Sequence, residues 1–157
     1  MPAEGAGRPE IPERLARGLD LCRGGEWDRG LAILGALGQS AEKSALPGLF
    51  YSYLGYGIAR CERRVKEGVK LCEHSIKIEF YQPENYLNLA RTQLLANDRR
   101  GAVGAIRRGL KIDPNHADLL ELQREIGVRR EPVLSFLSRD NPLNRFLGRL
   151  RHKVTGH

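Results

Sequence analysis

Apolar residues recur at helical spacing along most of this chain. Between residues 84 and 96 they stand at Tyr86, Leu89, Ala90 and Leu94, which share one face of a helix. Asn97-Asp98 follows as a turn signal. A second stretch, from about Arg100 to Ile112, carries Val103, Ile106 and Leu110 on one face. Pro114 then stops it, because proline has no backbone N–H to donate. The pattern predicts two antiparallel helices, with Ala90, Ala102 and Gly109 small enough to let them approach closely. Gly101, Gly104 and Gly109 each cost about 1 kcal/mol relative to alanine in a helix. Tertiary packing must therefore supply the stability of this second helix.

Weaker copies of the pattern lie upstream. Residues 48–82 offer Tyr51, Leu54, Gly55 and Ile58 in a first helix, then Gly68, Cys72, Ser75 and Ile76 in a second. Their register needs one extra residue near Arg63–Lys66, and Phe80 stands where a proline would end the unit. A third copy, residues 12–38, shows Gly18, Leu21, a Gly24-Gly25 turn, Trp27, Gly30, Leu34 and Leu37. Residues 39–47 are expected to form a loop. The small markers Gly30, Gly68 and Ala102 are 38 and 34 residues apart. Repeats at such a period bury their apolar faces only by stacking, and about three units plus a polar cap are needed. Leu119, Leu120, Leu122 and Ile126 mark residues 117–126 as that cap or as the first helix of a broken fourth unit.

The unit Pro83–His116 resembles the tetratricopeptide repeat. It is 34 residues long, with Tyr86, Leu89, Ala90, Ala102, Ile106, Gly109 and Pro114 at that family's marker places. Gln93 and Arg99 depart from the pattern. The resemblance implies an all-α fold of antiparallel helical hairpins, stacked as a short right-handed superhelix with a C-terminal capping helix. It divides the chain into a disordered N-terminus at 1–11, a repeat domain at 12–127 and a basic extension at 128–157.

The resemblance also implies a function, namely protein–protein interaction. In that family the first helix of each unit lines a concave groove that receives a peptide or helix of a partner. Carried over, the groove places fall on Ser52, Tyr56, Ala59 and Arg60, then on Glu84, Leu87, Arg91, Leu94 and Leu95. The cap adds Asp118, Glu121 and Glu125. Asn88 beside Arg91 suggests the clamp some members use for a terminal carboxylate. Ser52 and Tyr56 stand where that clamp wants asparagine, which argues against this ligand. Arg60 and Arg91 remain suited to acidic groups, since a guanidinium matches carboxylate geometry. Tyr56 offers an aromatic anchor.

The C-terminal segment stands apart. Asn141 followed by Pro142 is an efficient helix start. Leu143, Phe146, Leu147 and Leu150 then make an apolar stripe, with Arg145, Arg149, Arg151 and Lys153 beside it. The stripe packs back on the repeats, or meets a membrane surface or partner. Nucleic acid is the weakest of the readings, because interleaved aromatics and known DNA-reading motifs are absent. Val133–Leu137 is expected to insert between helices, and in the concave groove it would act as the chain's own ligand. The runner-up function is thus a peripheral membrane or assembly factor working through this basic helix.

Charge agrees with that division. The chain carries a net +7, of which residues 129–157 hold +5. Hydrophobic residues make up 41% and charged residues 29%, values of an ordinary globular chain. The longest apolar stretch, residues 46–59, is broken by glycines and serine and falls short of the roughly 18 residues a membrane span needs. Residues 1–10 lack a basic region followed by an apolar core, so no secretory signal is expected and the compartment is read as cytoplasmic. Three cysteines without C-x-x-C spacing argue against disulfide or zinc frameworks and read as reduced, mostly buried thiols. No histidine joins a metal or catalytic motif, Cys72-x-His74 being two residues only. Glu121 and Glu125, one turn apart, read as a solvated face. Neither an enzyme, a cofactor nor a metal is expected, and the oligomeric state stays open.

Overall fold

The computed structural model of the chain describes residues 11–40 and 46–127. Among these residues it is all α, with seven helices and no strand: α1 Ile11–Arg23, α2 Trp27–Ser40, α3 Gly48–Cys61, α4 Val65–Ile78, α5 Pro83–Leu95, α6 Arg99–Ile112 and α7 Ala117–Glu125. The described residues up to Gln123 belong to one compact unit. The expected tail helix, with Arg145, Arg149, Arg151 and Lys153, lies outside the described residues, as do most of the expected N-terminal segment and Val133–Leu137.

Three hairpins form this compact unit. Helices α1 and α2, α3 and α4, and α5 and α6 pack in pairs, and α3 also lies against α1, α2 and α5. Each hairpin turns through three residues, and each turn holds one left-handed residue: Gly25 (φ 85°), Arg63 (φ 60°) and Asn97 (φ 57°). Glycine and asparagine suit that conformation, whereas arginine adopts it against a Cβ clash. The third turn is also capped. The Asp98 carboxylate accepts from the Gly101 backbone N–H at 2.8 Å, satisfying one orphan donor at the start of α6. The extra residue that the sequence pattern puts near Arg63–Lys66 is found elsewhere. The turns are equal in length, and α3 has 14 residues where α1 and α5 have 13.

Small residues set the helix spacing. Gly30, Gly68 and Ala102 are each the fourth residue of a second helix, so the repeat is in phase. A Cβ on Gly68 would stand 2.4 Å from the Gly55 carbonyl oxygen and 2.7 Å from the Ala59 Cβ. Ala90 and Ala102 are fully buried in the third hairpin. Around these contacts the chain buries Leu19, Cys22, Leu34, Leu37, Phe50 and Tyr53 in the first half and Leu87, Leu89, Ile106 and Leu119 in the second. Each such leucine or phenylalanine contributes about 1.5–3 kcal/mol on burial. Leu119 also joins α7 to the array, since its Cδ1 fills the space where a Cβ on Gly109 would fall.

Candidate protein-binding face

Helices α1, α3 and α5 lie side by side, so their free faces form one continuous surface. The side chains on it connect across the hairpins. Arg23, last residue of α1, donates through Nε and Nη2 to the two carboxylate oxygens of Glu84 in the first turn of α5, at 3.0 and 2.9 Å. The Tyr53 hydroxyl on α3 donates to the same carboxylate. Burial by itself pushes the Glu84 carboxyl up, but the hydrogen bonds from Arg23 and Tyr53 outweigh it and hold it below its ordinary value. The Tyr53 hydroxyl is pushed up by burial and by the carboxylate it faces.

An aromatic group adjoins this network. Trp27, at the start of α2, stacks on Tyr53 with ring centroids 6.2 Å apart and meets Tyr56 edge to face at 5.1 Å. Two arginines flank it. The Arg60 guanidinium lies 5.8 Å from the Trp27 ring, and Nη1 donates to the Tyr56 hydroxyl at 3.3 Å. The Arg91 guanidinium on α5 lies 5.8 Å from the Tyr56 ring. Its Nη2 stands 3.6 Å from a carboxylate oxygen of Asp118 on α7, too far for a hydrogen bond. Arg60, Trp27, Tyr56 and Arg91 therefore form a row of two rings between two guanidiniums, each contact in the range of a cation–π or aromatic pair. Trp27 and Arg91 are half-buried, Arg60 is exposed, and Tyr56 is buried beneath them.

The expected groove residues separate into two sets. Tyr56, Arg60 and Arg91 come together in the row just described. Leu95, Glu121 and Glu125 are exposed on α5 and α7. Ser52 and Asn88, by contrast, are fully buried, and Leu87 is 2% exposed. The Asn88 amide donates to Ser52 Oγ at 3.1 Å, joining α5 to α3. Thr92 Oγ1 donates to the Asn88 carbonyl at 2.7 Å, and Cys72 Sγ lies 3.5 Å from both Thr92 Oγ1 and the Ser52 carbonyl oxygen. Ser52 and Asn88 thus belong to a polar seam between hairpins, withdrawn from any ligand in this conformation. Gly68 on α4 leaves room for Thr92 of α5 beside this seam, since a Cβ there would stand 3.2 Å from the Thr92 methyl carbon.

Trp27, Tyr53 and Glu84 complete the site. The sequence pattern counted Trp27 only among the residues of the third copy, and it gave no role to Tyr53. Its available signal was the i, i+3, i+7 spacing of Tyr53, Tyr56 and Arg60 on one helix face. The Arg23–Glu84 link spans 61 residues and leaves no local trace.

Other features bear on chemistry. Burial pushes the Cys22 thiol up to about 11, with Cys61 adding to it and Arg23 opposing. Burial likewise pushes the Cys72 thiol up to about 12, against the Thr92 hydrogen bond. Both remain neutral thiols at physiological pH, the opposite of an activated nucleophile. An open apolar cleft of about 690 Å³ lies between α2, α3 and α4, lined by Leu46, Phe50, Tyr51, Leu54, Leu71 and Ile78 among others, and it shares no residue with the row of arginines and rings. No described helix is long and apolar enough to cross a membrane.

Solved structures share this arrangement. The chain is similar to PcrH in complex with the chaperone binding region of PopB, at 16% identity and a TM-score of 0.57, over 79% of this chain and 99% of that one. It is similar to PcrH from Pseudomonas aeruginosa, at 16% identity and a TM-score of 0.57, over 78% and 92%. The Yersinia enterocolitica type III secretion translocator chaperone SycD matches at 11% identity and a TM-score of 0.56, over 78% and 90%. At such identities the likeness establishes a common helical fold. No protein-family model and no curated protein sequence matches the chain.

Proposed function

We propose that this chain is a non-catalytic adaptor or chaperone of the tetratricopeptide-like kind, holding a segment of another protein on the face formed by α1, α3 and α5. The observation that carries this reading is the Arg60–Trp27–Tyr56–Arg91 row. Tryptophan, tyrosine and arginine are the residue types that dominate binding energy at interfaces. Here Trp27, Arg60 and Arg91 reach one surface around the buried Tyr56, held from below by the Arg23–Glu84–Tyr53 network. Pre-ordering of this kind lowers the entropic cost of capture. The fold supports the same reading, since one similar chain is seen with a chaperone binding region of its partner.

Affinity capture by the full chain tests this proposal. Arg91→Glu is expected to abolish capture of the native partner, with the melting temperature unchanged. Reversal of Arg145, Arg149, Arg151 and Lys153 to glutamate is expected to leave capture intact. Loss of capture only in the tail variant would refute the assignment to the first-helix face.

A further inference from the structure

The arginines of this face are not equivalent. Arg23 is spent internally, with two of its five N–H groups on the Glu84 carboxylate and another on Asp20 at 3.1 Å. Arg60 makes one hydrogen bond, to a neutral phenol, and among the described residues no carboxylate lies within ion-pair distance of it. Arg91 meets Asp118 at 3.6 Å, and that aspartate is 55% exposed. Two guanidiniums are thus oriented by aromatic rings with most of their donors uncommitted. A guanidinium stacked on a ring keeps its edge N–H groups free for a planar acceptor, the geometry a carboxylate fits with two bonds.

From this asymmetry we infer that the partner segment is acidic, with carboxylates placed to reach Arg60 and Arg91 on either side of an apolar side chain that rests on Trp27. The inference rests on the reading of the first-helix face as the binding surface and adds the chemistry of its occupant. Asp118 is the internal stand-in for one of those carboxylates. Its loose, exposed contact lets a ligand carboxylate displace it, whereas the bidentate Glu84 holds Arg23 against exchange. A basic or neutral segment would leave both guanidiniums beside a surface that cannot use them. Charge complementarity of this sort also speeds encounter and makes binding salt-dependent.

The chain contains one tryptophan, at the centre of the row, so its emission reports on this face alone. The experiment titrates the full chain with a capped octapeptide of glutamate, leucine and phenylalanine, and with the counterpart in which glutamine replaces every glutamate. The glutamate peptide is expected to shift Trp27 emission saturably and to bind about tenfold or more tightly than the glutamine peptide, the gain that hydrogen bonds to charged groups allow. Its affinity falls with added salt. R60Q and R91Q each lose about tenfold in affinity. D118N tightens binding, because it removes the competing carboxylate. Equal affinities for the two peptides, or affinities unmoved by R60Q and R91Q, would overturn the acidic class and leave the face standing. Silence of Trp27 towards both peptides would overturn the face as well.

Discussion

Arg23 grips Glu84 with two hydrogen bonds across 61 residues of sequence, and through them the first hairpin is tied to the third. The pair is partly exposed, at 41% for Arg23 and 19% for Glu84, so its contribution is moderate. Glu84→Gln is expected to cost about 1–2 kcal/mol of stability. The sign of the pH dependence follows from the direction of the shift. The Glu84 carboxyl titrates below its ordinary 4.5 in the folded chain. Its stabilisation is therefore complete above that value and lost as pH falls through the lower folded value. Urea melts across the acid range should show wild type and Glu84→Gln converging as pH drops below 4.5. Divergence there would contradict the ion pair.

Glycine acts in two opposite ways along these helices. Gly68 lies where a methyl group would meet the Gly55 carbonyl at 2.4 Å, a backbone atom that cannot swing aside. Gly68→Ala should force α3 and α4 apart and cost about 1–3 kcal/mol. Gly104, in the middle of α6, has open space where its Cβ would stand. Gly104→Ala should stabilise by about 0.5–1 kcal/mol, by removing backbone freedom from the unfolded chain. Thermal melts of the two variants should move in opposite directions.

The seam between hairpins is polar, and its centre is the pair Ser52 and Asn88. A double-mutant cycle with Ser52→Ala and Asn88→Ala should return a coupling of about 1 kcal/mol. A coupling near zero would place the two side chains apart in solution.

These residues also show where the sequence speaks and where it falls silent. Helical spacing and turn chemistry are local, so the hairpins, the in-phase markers Gly30, Gly68 and Ala102, and the start of α7 could all be read from the chain. Tyr56, Arg60 and Arg91 could be placed on first helices for the same reason. Ser52 falls on a groove place by spacing and Asn88 stands beside Arg91, yet the structure buries both, because how tightly two hairpins close depends on contacts such as Gly68 against Thr92, which meet only in space. The convergence of Trp27 with Tyr53 and Tyr56, and of Arg23 with Glu84, arises from stacking between units, which no single-repeat pattern encodes.

Thiol reactivity offers an independent check on the packing. Cys22 and Cys72 are buried with thiols pushed up to about 11 and about 12, while Cys61 is exposed. Brief treatment of the folded chain with iodoacetamide at mild alkaline pH should label Cys61 alone, as read by peptide mass spectrometry. The unfolded chain should accept label at all three cysteines. Rapid modification of Cys72 in the native chain would show that the seam between α3, α4 and α5 is open.

The central claim concerns which face holds the partner. Hydrogen–deuterium exchange of the full chain, measured alone and with the partner recovered by capture, tests it most directly. Peptides from α1, α3 and α5 that carry Arg23, Tyr56, Arg60 and Arg91, together with the start of α2 at Trp27, should gain protection. Protection confined to α4 and α6, with the first helices unchanged, would contradict the account.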